Sequence, residues 1–143
     1  DGVIFHNTLA SSDYGFLEHG TFLPRPNYFA ALLWNRLMGS AVYDCRELNR
    51  ENVHVYCHSR KDGACGVVYL IINNSLTDAI SVTIPQIALR YTLHAQTMRS
   101  SAMLLNGKEL TISGNCGLPE LVPELQPQGT VSLAPSSCTF FSL

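Results

Sequence analysis

A few residues near the beginning of the sequence have side chains that could take part in catalysis. Asp13 and Glu18 lie in a stretch that is rich in glycine and proline. Hydrolysis of a glycosidic bond usually requires two carboxyl groups, one with a raised pKa and one ionised. Loop carboxylates are mostly solvated, so the sequence favours that interpretation over a catalytic pair. The same holds for the later glutamates, which are Glu47, Glu51, Glu109, Glu120 and Glu124.

A second group of candidates comprises His6, Asn7, Asp13 and Tyr14. They follow the short apolar run Val3–Phe5, which is typical of a buried parallel strand. Proteins with parallel sheets bind ligands where the strands end, so substrate binding is one interpretation, and a structural role at the rim of the core is equally open. A serine hydrolase triad of Ser12, His6 and Asp13 is a weaker alternative, because no Gly-x-Ser-x-Gly turn accompanies the serine.

The elements that must position these residues are one strand and one helix. Two glycines and a Pro-Arg-Pro segment predict a loop over residues 10–27. Apolar residues at helical spacing predict a helix over about 28–38, with Asn27 as its cap and Gly39 as its stop. A single strand and helix cannot form a covered parallel sheet, so residues 1–39 must complete a sheet supplied by other residues.

Residues 40–143 have the pattern of an antiparallel β-sandwich, because short β-branched and aromatic runs recur with turn signals between them. Residues 73–78 are predicted to join two strands as a hairpin, and Asn106-Gly107 is predicted to join two more. The segment 114–129 holds three prolines and is predicted to be a long loop. The predicted strands are 53–56, 66–72, 79–84, 90–96, 103–105, 109–112, 130–133 and 138–141.

Aromatic residues of the predicted helix offer another kind of candidate site. Tyr28, Phe29 and Trp34 could stack against a sugar ring, although their helical spacing favours packing in the core. His54 and His58 lie in an alternating strand and are interpreted as ordinary sandwich residues.

Composition excludes several classes of function. Charged residues make up 14% of the 143 residues and the net charge is -2, so no basic surface for nucleic acid is expected. The longest apolar stretches are shorter than the roughly 20 residues of a membrane-spanning helix. None of the five cysteines is closer than eight positions to the next, so the sequence predicts neither a metal site nor a bound cofactor.

Several motifs resemble the heparanase-like family of glycoside hydrolases. The segments 7–15 and 22–39 are similar to the end of the family's barrel, and the second of them is specific in its proline, tyrosine and helix pattern. The motif Leu-Leu-Asn-Gly at 104–107 is similar to a turn of the family's C-terminal sandwich. The resemblance covers essentially the whole chain and is greatest to plant members, which include β-glucuronidases. Further similar strand segments are 53–58, 68–74 and 133–137.

The resemblance implies a fold and an activity. The fold would be the last βα unit of a (β/α)8 barrel, residues 1–39, followed by a C-terminal antiparallel β-sandwich, residues 40–143. The activity would be that of a retaining β-glucuronidase, with a small-molecule or oligosaccharide β-glucuronide as substrate. Two catalytic glutamates would lie in the N-terminal portion of the same enzyme, which would be this chain's partner. Family members are secretory proteins, so an extracellular, apoplastic or vacuolar location is expected.

The resemblance also assigns roles to individual residues. Ser12-Asp13-Tyr14 corresponds to a Gly-Asn-Tyr stretch that lines the uronate subsite in the family, and the tyrosine faces the carboxylate there. His6 stands where the family has glutamine. Independently of the family, Asn73-Asn74-Ser75 is an acceptor sequence for N-glycosylation, and Asn73 is predicted to lie in a solvent-facing hairpin.

A non-catalytic carbohydrate-binding or interaction module is the alternative function. Such a module has no need of a strand and helix that belong to another sheet. Residues 1–39 therefore favour the hydrolase interpretation.

Overall fold

The computed structural model describes residues 9–10, 14–97, 99–112 and 117–143. Within them the chain is mostly antiparallel sheet with one α-helix, so a β-rich domain is confirmed. The predicted strand Val3–Phe5 lies outside the described residues. The elements are helix α1 (Pro26–Leu37) and strands β1 (Met38–Tyr43), β2 (Val53–Arg60), β3 (Val67–Asn73), β4 (Ile80–Ile84), β5 (Ala88–His94), β6 (Leu104–Leu105), β7 (Lys108–Glu109), β8 (Glu124–Gln126), β9 (Gly129–Leu133) and β10 (Ser137–Ser142).

Helix α1 begins at Pro26, two residues earlier than the predicted start near residue 28. Pro26 occupies the first helical position, where its fixed φ suits the helix and its missing N–H is not needed. Arg25 precedes it in an extended conformation. Asn27 is therefore inside the helix and does not cap it, which corrects the prediction. Gly39 does not end the helix either, because Met38 is already extended and both residues belong to β1.

A large sheet forms the centre of the described structure. Its strands follow the order β1-β2-β3-β10-β5-β6-β7, and β8 pairs with β5 beside this row. β10 pairs antiparallel with β3 on one side and with β5 on the other over its whole length. β4 and β9 form a separate two-stranded sheet.

The two faces of the large sheet are covered by different elements. Phe140 and Phe141 are adjacent in β10, so their side chains point to opposite faces. Phe140 packs with Phe29 and Leu33 of α1, whereas Phe141 packs in a cluster to which the two-stranded sheet contributes Ile84. Both phenylalanines are almost fully buried, and burial of such a side chain contributes about 1.5–3 kcal/mol.

The predicted hairpin across residues 73–78 is wrong. β3 pairs with β2 and β10, while β4 crosses to the small sheet and pairs with β9. The reason is that β2 and β10 occupy both hydrogen-bonding edges of β3. The hairpin at Asn106-Gly107 is confirmed, since β6 pairs with β7 and both turn residues have positive φ.

Candidate functional site

The chain before α1 forms a small irregular hairpin, which we call the leading loop (residues 14–25). Leu17 and Pro24 make an isolated antiparallel bridge across it. The amide of Arg25 donates to the carbonyl oxygen of Phe16 over 2.8 Å, which ties the end of the loop to its beginning. The side chain of Asn27 reaches from α1 to the carbonyl oxygen of Gly15. The helix therefore fixes the position of the loop.

The tip of the leading loop is held by a carboxylate. Glu18 Oε2 accepts a hydrogen bond of 2.6 Å from Thr21 Oγ1, and its carbonyl accepts from the amide of Phe22. Gly20 and Phe22 both have positive φ, 88° and 58°. A glycine tolerates that conformation, whereas at a phenylalanine it costs energy. The tip therefore contains local backbone strain at Phe22.

Tyr14 is the candidate site residue that the structure describes. It begins the leading loop and its side chain is 80% exposed. His6, Ser12 and Asp13 lie outside the described residues, so their grouping with Tyr14 stays a prediction. Tyr14 therefore lies at the surface of the leading loop.

Other apolar side chains around the leading loop also face outwards. Leu9, Phe22 and Leu23 are 67%, 64% and 59% exposed. Clustered exposed apolar side chains usually mark a surface that another molecule or domain covers. The leading loop thus exposes the apolar side chains of Phe22 and Leu23 near its tip and Tyr14 at its beginning.

A cavity of about 610 Å³ lies between the leading loop and the segment 99–112. Glu18, Arg25, Arg99 and Glu109 line it beside Phe29. Both signs of charge are present, so the cavity suits a polar ligand and has no net bias towards an anion. These side chains could bind and orient such a ligand by hydrogen bonds.

Two other described carboxylates, Asp44 and Asp62, form local pairs with arginine. Asp44 pairs with Arg46 at 2.7 Å, and hydrogen bonds from that residue lower the pKa of Asp44 to about 2. The pKa of Asp62 is also lowered, chiefly by a hydrogen bond from Arg60. A general acid at neutral pH needs a raised pKa instead. Neither aspartate has the properties of a glycosidase acid.

Asn73 is not solvent-facing, and that prediction is wrong. Its side chain is 1% exposed. Asn73 Nδ2 donates to the carbonyl oxygens of Asp78 and Ala134 at 2.9 and 3.0 Å, with that of Leu133 at 3.5 Å. Nδ2 is the atom to which a glycan would be attached. A glycan on Asn73 of the folded chain would have to displace these contacts, so the side chain does not have the exposure of a surface modification site.

The structure brings together an aromatic group that the sequence did not predict. Phe29 is buried, as its spacing indicated, but Trp34 is 38% exposed. The Trp34 ring meets those of His58 and Tyr56 edge-on, at centroid distances of 4.9 and 6.3 Å. His58 Nδ1 lies 2.8 Å from the carbonyl oxygen of Gly39 and is therefore a donor. The alternation of β2 placed these two residues on one face, but no sequence signal showed that Trp34 would reach them.

The described residues offer neither a metal site nor a membrane-spanning helix. Among the residues that the structure describes, no three His, Cys, Asp or Glu side chains are grouped so as to hold a metal ion. None of the helices in those ranges has the length and apolar character needed to cross a bilayer.

Comparison with known proteins identifies relatives along nearly the whole chain, although no family model matches it. The chain is 31% identical to baicalin-β-D-glucuronidase of Scutellaria baicalensis over 95% of its length, and 29% identical to heparanase-like protein 1 of Arabidopsis thaliana over 99%. It is 25% identical over 97% to hyaluronoglucuronidase of Hirudo nipponia. A solved structure of an arabinofuranosidase aligns with 64% of this chain and 19% of its own, at 17% identity and a TM-score of 0.41.

These alignments cover only part of each relative. The chain spans 27% of the Scutellaria protein, 33% of the Arabidopsis protein and 31% of the leech protein. The relatives are glucuronidases and heparanase-like proteins. Over nearly its whole length, the chain is a homologue of heparanase-like proteins and of baicalin-β-D-glucuronidase.

Proposed function

We propose that this chain is the C-terminal part of a retaining β-glucuronidase. The observation that supports this most directly is its similarity to two glucuronidases, from a plant and a leech, over at least 95% of its length. The substrate would be a flavonoid glucuronide or a glycan uronide. No cofactor is needed for such hydrolysis, because two carboxyl groups supply the acid and the nucleophile.

The catalytic glutamates would lie in an N-terminal portion of the same polypeptide. Two observations support this arrangement. The chain spans a third or less of the length of its glucuronidase relatives. In addition, the pKa values of Asp44 and Asp62 are lowered, whereas a general acid needs a raised pKa. The exposed apolar side chains of Leu9, Phe22 and Leu23 would then pack against that portion. We further propose that the protein enters the secretory pathway.

Tyr14 would be the chain's contribution to the sugar site. Its phenol lies at the beginning of the leading loop, which α1 holds through Asn27. In the assembled enzyme the phenol would donate a hydrogen bond to the uronate carboxylate. Ser12, Asp13 and His6 would line the same subsite.

The assembly is tested by comparing the 143-residue chain with the longer polypeptide from the same gene. Both are assayed on p-nitrophenyl β-D-glucuronide. We expect activity in the longer polypeptide alone, with retention of configuration in the first product seen by NMR. Hydrolysis by the 143-residue chain would contradict the arrangement, and inversion would contradict the retaining mechanism.

The role of Tyr14 is tested in the active, longer polypeptide. A hydrogen bond to a charged acceptor is worth about 1.5–3 kcal/mol, so Tyr14→Phe should lower kcat/KM on the glucuronide roughly 10- to 150-fold. The matching β-glucoside lacks the carboxylate and should lose much less. Tyr43→Phe, at another exposed tyrosine, is the matched control and should change neither. Equal losses on both substrates would show that Tyr14 does not bind the carboxylate.

A carbohydrate-binding module is the second candidate, because of the exposed group formed by Trp34, Tyr56 and His58. Exposed aromatic rings on a rigid surface stack against the apolar faces of sugars. Titration of the chain with hyaluronan or heparan sulfate oligosaccharides should then show binding that Trp34→Ala abolishes. The absence of binding would leave these rings without a role in sugar recognition.

A further inference from the structure

Two cysteines meet near the end of β1. Cys45 follows that strand, and its Sγ donates a hydrogen bond to the carbonyl oxygen of Val55, 3.2 Å away. Cys57 is two residues further along β2, and it pairs directly with Tyr43, two residues before Cys45. The Cys45 thiol therefore rests on the segment of β2 that carries Cys57.

Both thiols lie on the same side of the large sheet. Cys57 is opposite Tyr69 in the pairing of β2 with β3. Cys45 and Tyr69 both pack against the cluster under the two-stranded sheet. Directly paired residues of neighbouring strands point to one face, so the two thiols and the phenol form a single group.

The two thiols differ in their access to solvent. Cys45 is partly exposed and lines an open cavity of about 720 Å³ together with Arg46 and Tyr69. Cys57 is only 4% exposed. A small oxidant in solution therefore reaches Cys45 first, and Cys57 is placed to complete the reaction.

The remaining described cysteines are poor partners for Cys57. Cys138 packs against the cluster under α1, on the opposite face of the sheet. Cys65 is exposed in the connection between β2 and β3. Cys116 lies outside the described residues.

We propose that Cys45 and Cys57 are a site of intrachain disulfide formation by thiol–disulfide exchange with glutathione disulfide. The Cys45 thiolate attacks one sulfur of glutathione disulfide and releases one glutathione thiolate. The Cys57 thiolate then attacks the Cys45 sulfur, forms the Cys45–Cys57 bond and releases the second glutathione thiolate. The two protons lost from the cysteines are taken up by the two released thiolates, so two glutathiones leave reduced. Burial raises the pKa of both thiols, so the exchange should accelerate as pH rises.

Tryptic digestion separates the relevant cysteines into different peptides. Cleavage after Arg36, Arg46, Arg50 and Arg60 places Cys45 in residues 37–46 and Cys57 in residues 51–60. The chain is equilibrated with glutathione disulfide, treated with iodoacetamide, digested without reductant and analysed by mass spectrometry. We expect the two peptides to be linked in most molecules. The linkage should also raise Tm by roughly 5–10 °C over the reduced protein.

Two variants make the outcome decisive. Cys45→Ser changes a partly exposed residue and should abolish the linked peptide and the Tm difference, whereas Cys65→Ser should preserve both. Cys57 linked to any cysteine other than Cys45 would overturn the proposal. So would alkylation of both thiols after equilibration in protein that still unfolds cooperatively.

Discussion

Two connections of this chain have opposite organisations. Several side chains of the leading loop face outwards, with Tyr14 80% exposed. The connection after β3, residues 74–79, is held by the last residue of that strand, Asn73, whose side chain points inwards and is 1% exposed. A loop whose side chains face outwards is available for function, whereas one whose amide satisfies buried carbonyls is part of the fold.

The inward-facing connection is held by side chains that bond to the backbone. Asn73 Oδ1 accepts from the amide of Ser75 at 3.1 Å, and Ser75 Oγ accepts from the amide of Asp78 at 2.9 Å. Asn73 also reaches the segment after β9 through Ala134. The leading loop is tied to the helix by the side chain of Asn27, but its apolar residues Phe22 and Leu23 are exposed.

The largest effect should come from Asn73→Ala. The substitution removes a buried side chain that donates to the carbonyl oxygens of Asp78 and Ala134 and accepts from the amide of Ser75, so we expect the free energy of unfolding to fall by about 3 kcal/mol. Urea denaturation measures it. Asn74→Ala is the matched control, because that side chain is exposed, and it should cost less than about 0.5 kcal/mol. Equal costs at the two positions would remove the distinction between the connections.

A smaller effect is expected at Asn106, which resembles Asn73 but is less deeply buried. Its Nδ2 donates to the carbonyl oxygens of Arg90 and Val122, and its φ is 50°. Asn106→Ala should cost about 2 kcal/mol, because it loses these bonds and adds strain at positive φ. Asn106→Gly removes the backbone strain, but it does not restore the lost hydrogen bonds. If the glycine variant unfolds at the urea concentration of the native chain, the side-chain bonds contribute nothing.

Phe22→Ser should change the stability of this chain by less than about 0.5 kcal/mol, because the side chain is mostly in solvent. In the longer polypeptide the same substitution should lower Tm, since the proposed partner portion would bury Phe22. Thermal unfolding of both forms makes the comparison, with Leu76→Ser, at another exposed apolar residue, as the control. A large loss in the short chain would show that the leading loop already packs as part of the fold.

The smallest effect concerns the pH dependence of the Asp44–Arg46 pair. The pKa of Asp44 is lowered to about 2 in the folded chain, below the value of about 3.9 in an unfolded chain. Its contribution is therefore present above about pH 4 and is lost as pH falls towards 2. The pair is fully exposed, so 0.5 M salt should screen it. NMR titration of the Asp44 carboxyl should give a midpoint near 2; a midpoint near 4 would contradict the pairing.

Much of the secondary structure followed from local patterns. The alternation of Val53–Tyr56 predicted β2. Asn106-Gly107 predicted the hairpin of β6 and β7, because a two-residue turn fixes the pairing of the strands that it joins. Strand order was not accessible in this way. β3 takes its second partner from β10, about 70 positions along the chain, and turn composition carries no information on that choice. β1 was missed because Gly39, which looked like a helix stop, lies within it.

The candidate site was only partly predictable for a related reason. The sequence placed Tyr14 in a loop, and its exposure agrees with that. It also placed Asn73 in a connection between strands, but not the carbonyl oxygens of Asp78 and Ala134 that draw its amide inwards. A side chain's orientation depends on neighbours that are distant in sequence, and one sequence read locally does not contain them.

The position of β10 has a consequence for how the chain acquires its structure during synthesis. Residues 137–142 lie between β3 and β5. The part of the large sheet that contains β3 therefore cannot join the part that contains β5 until this strand emerges from the ribosome. Pairing of such distant segments slows folding. Until then β3 and β5 expose unpaired edges, and nascent chains at this stage would be the form most prone to associate with one another.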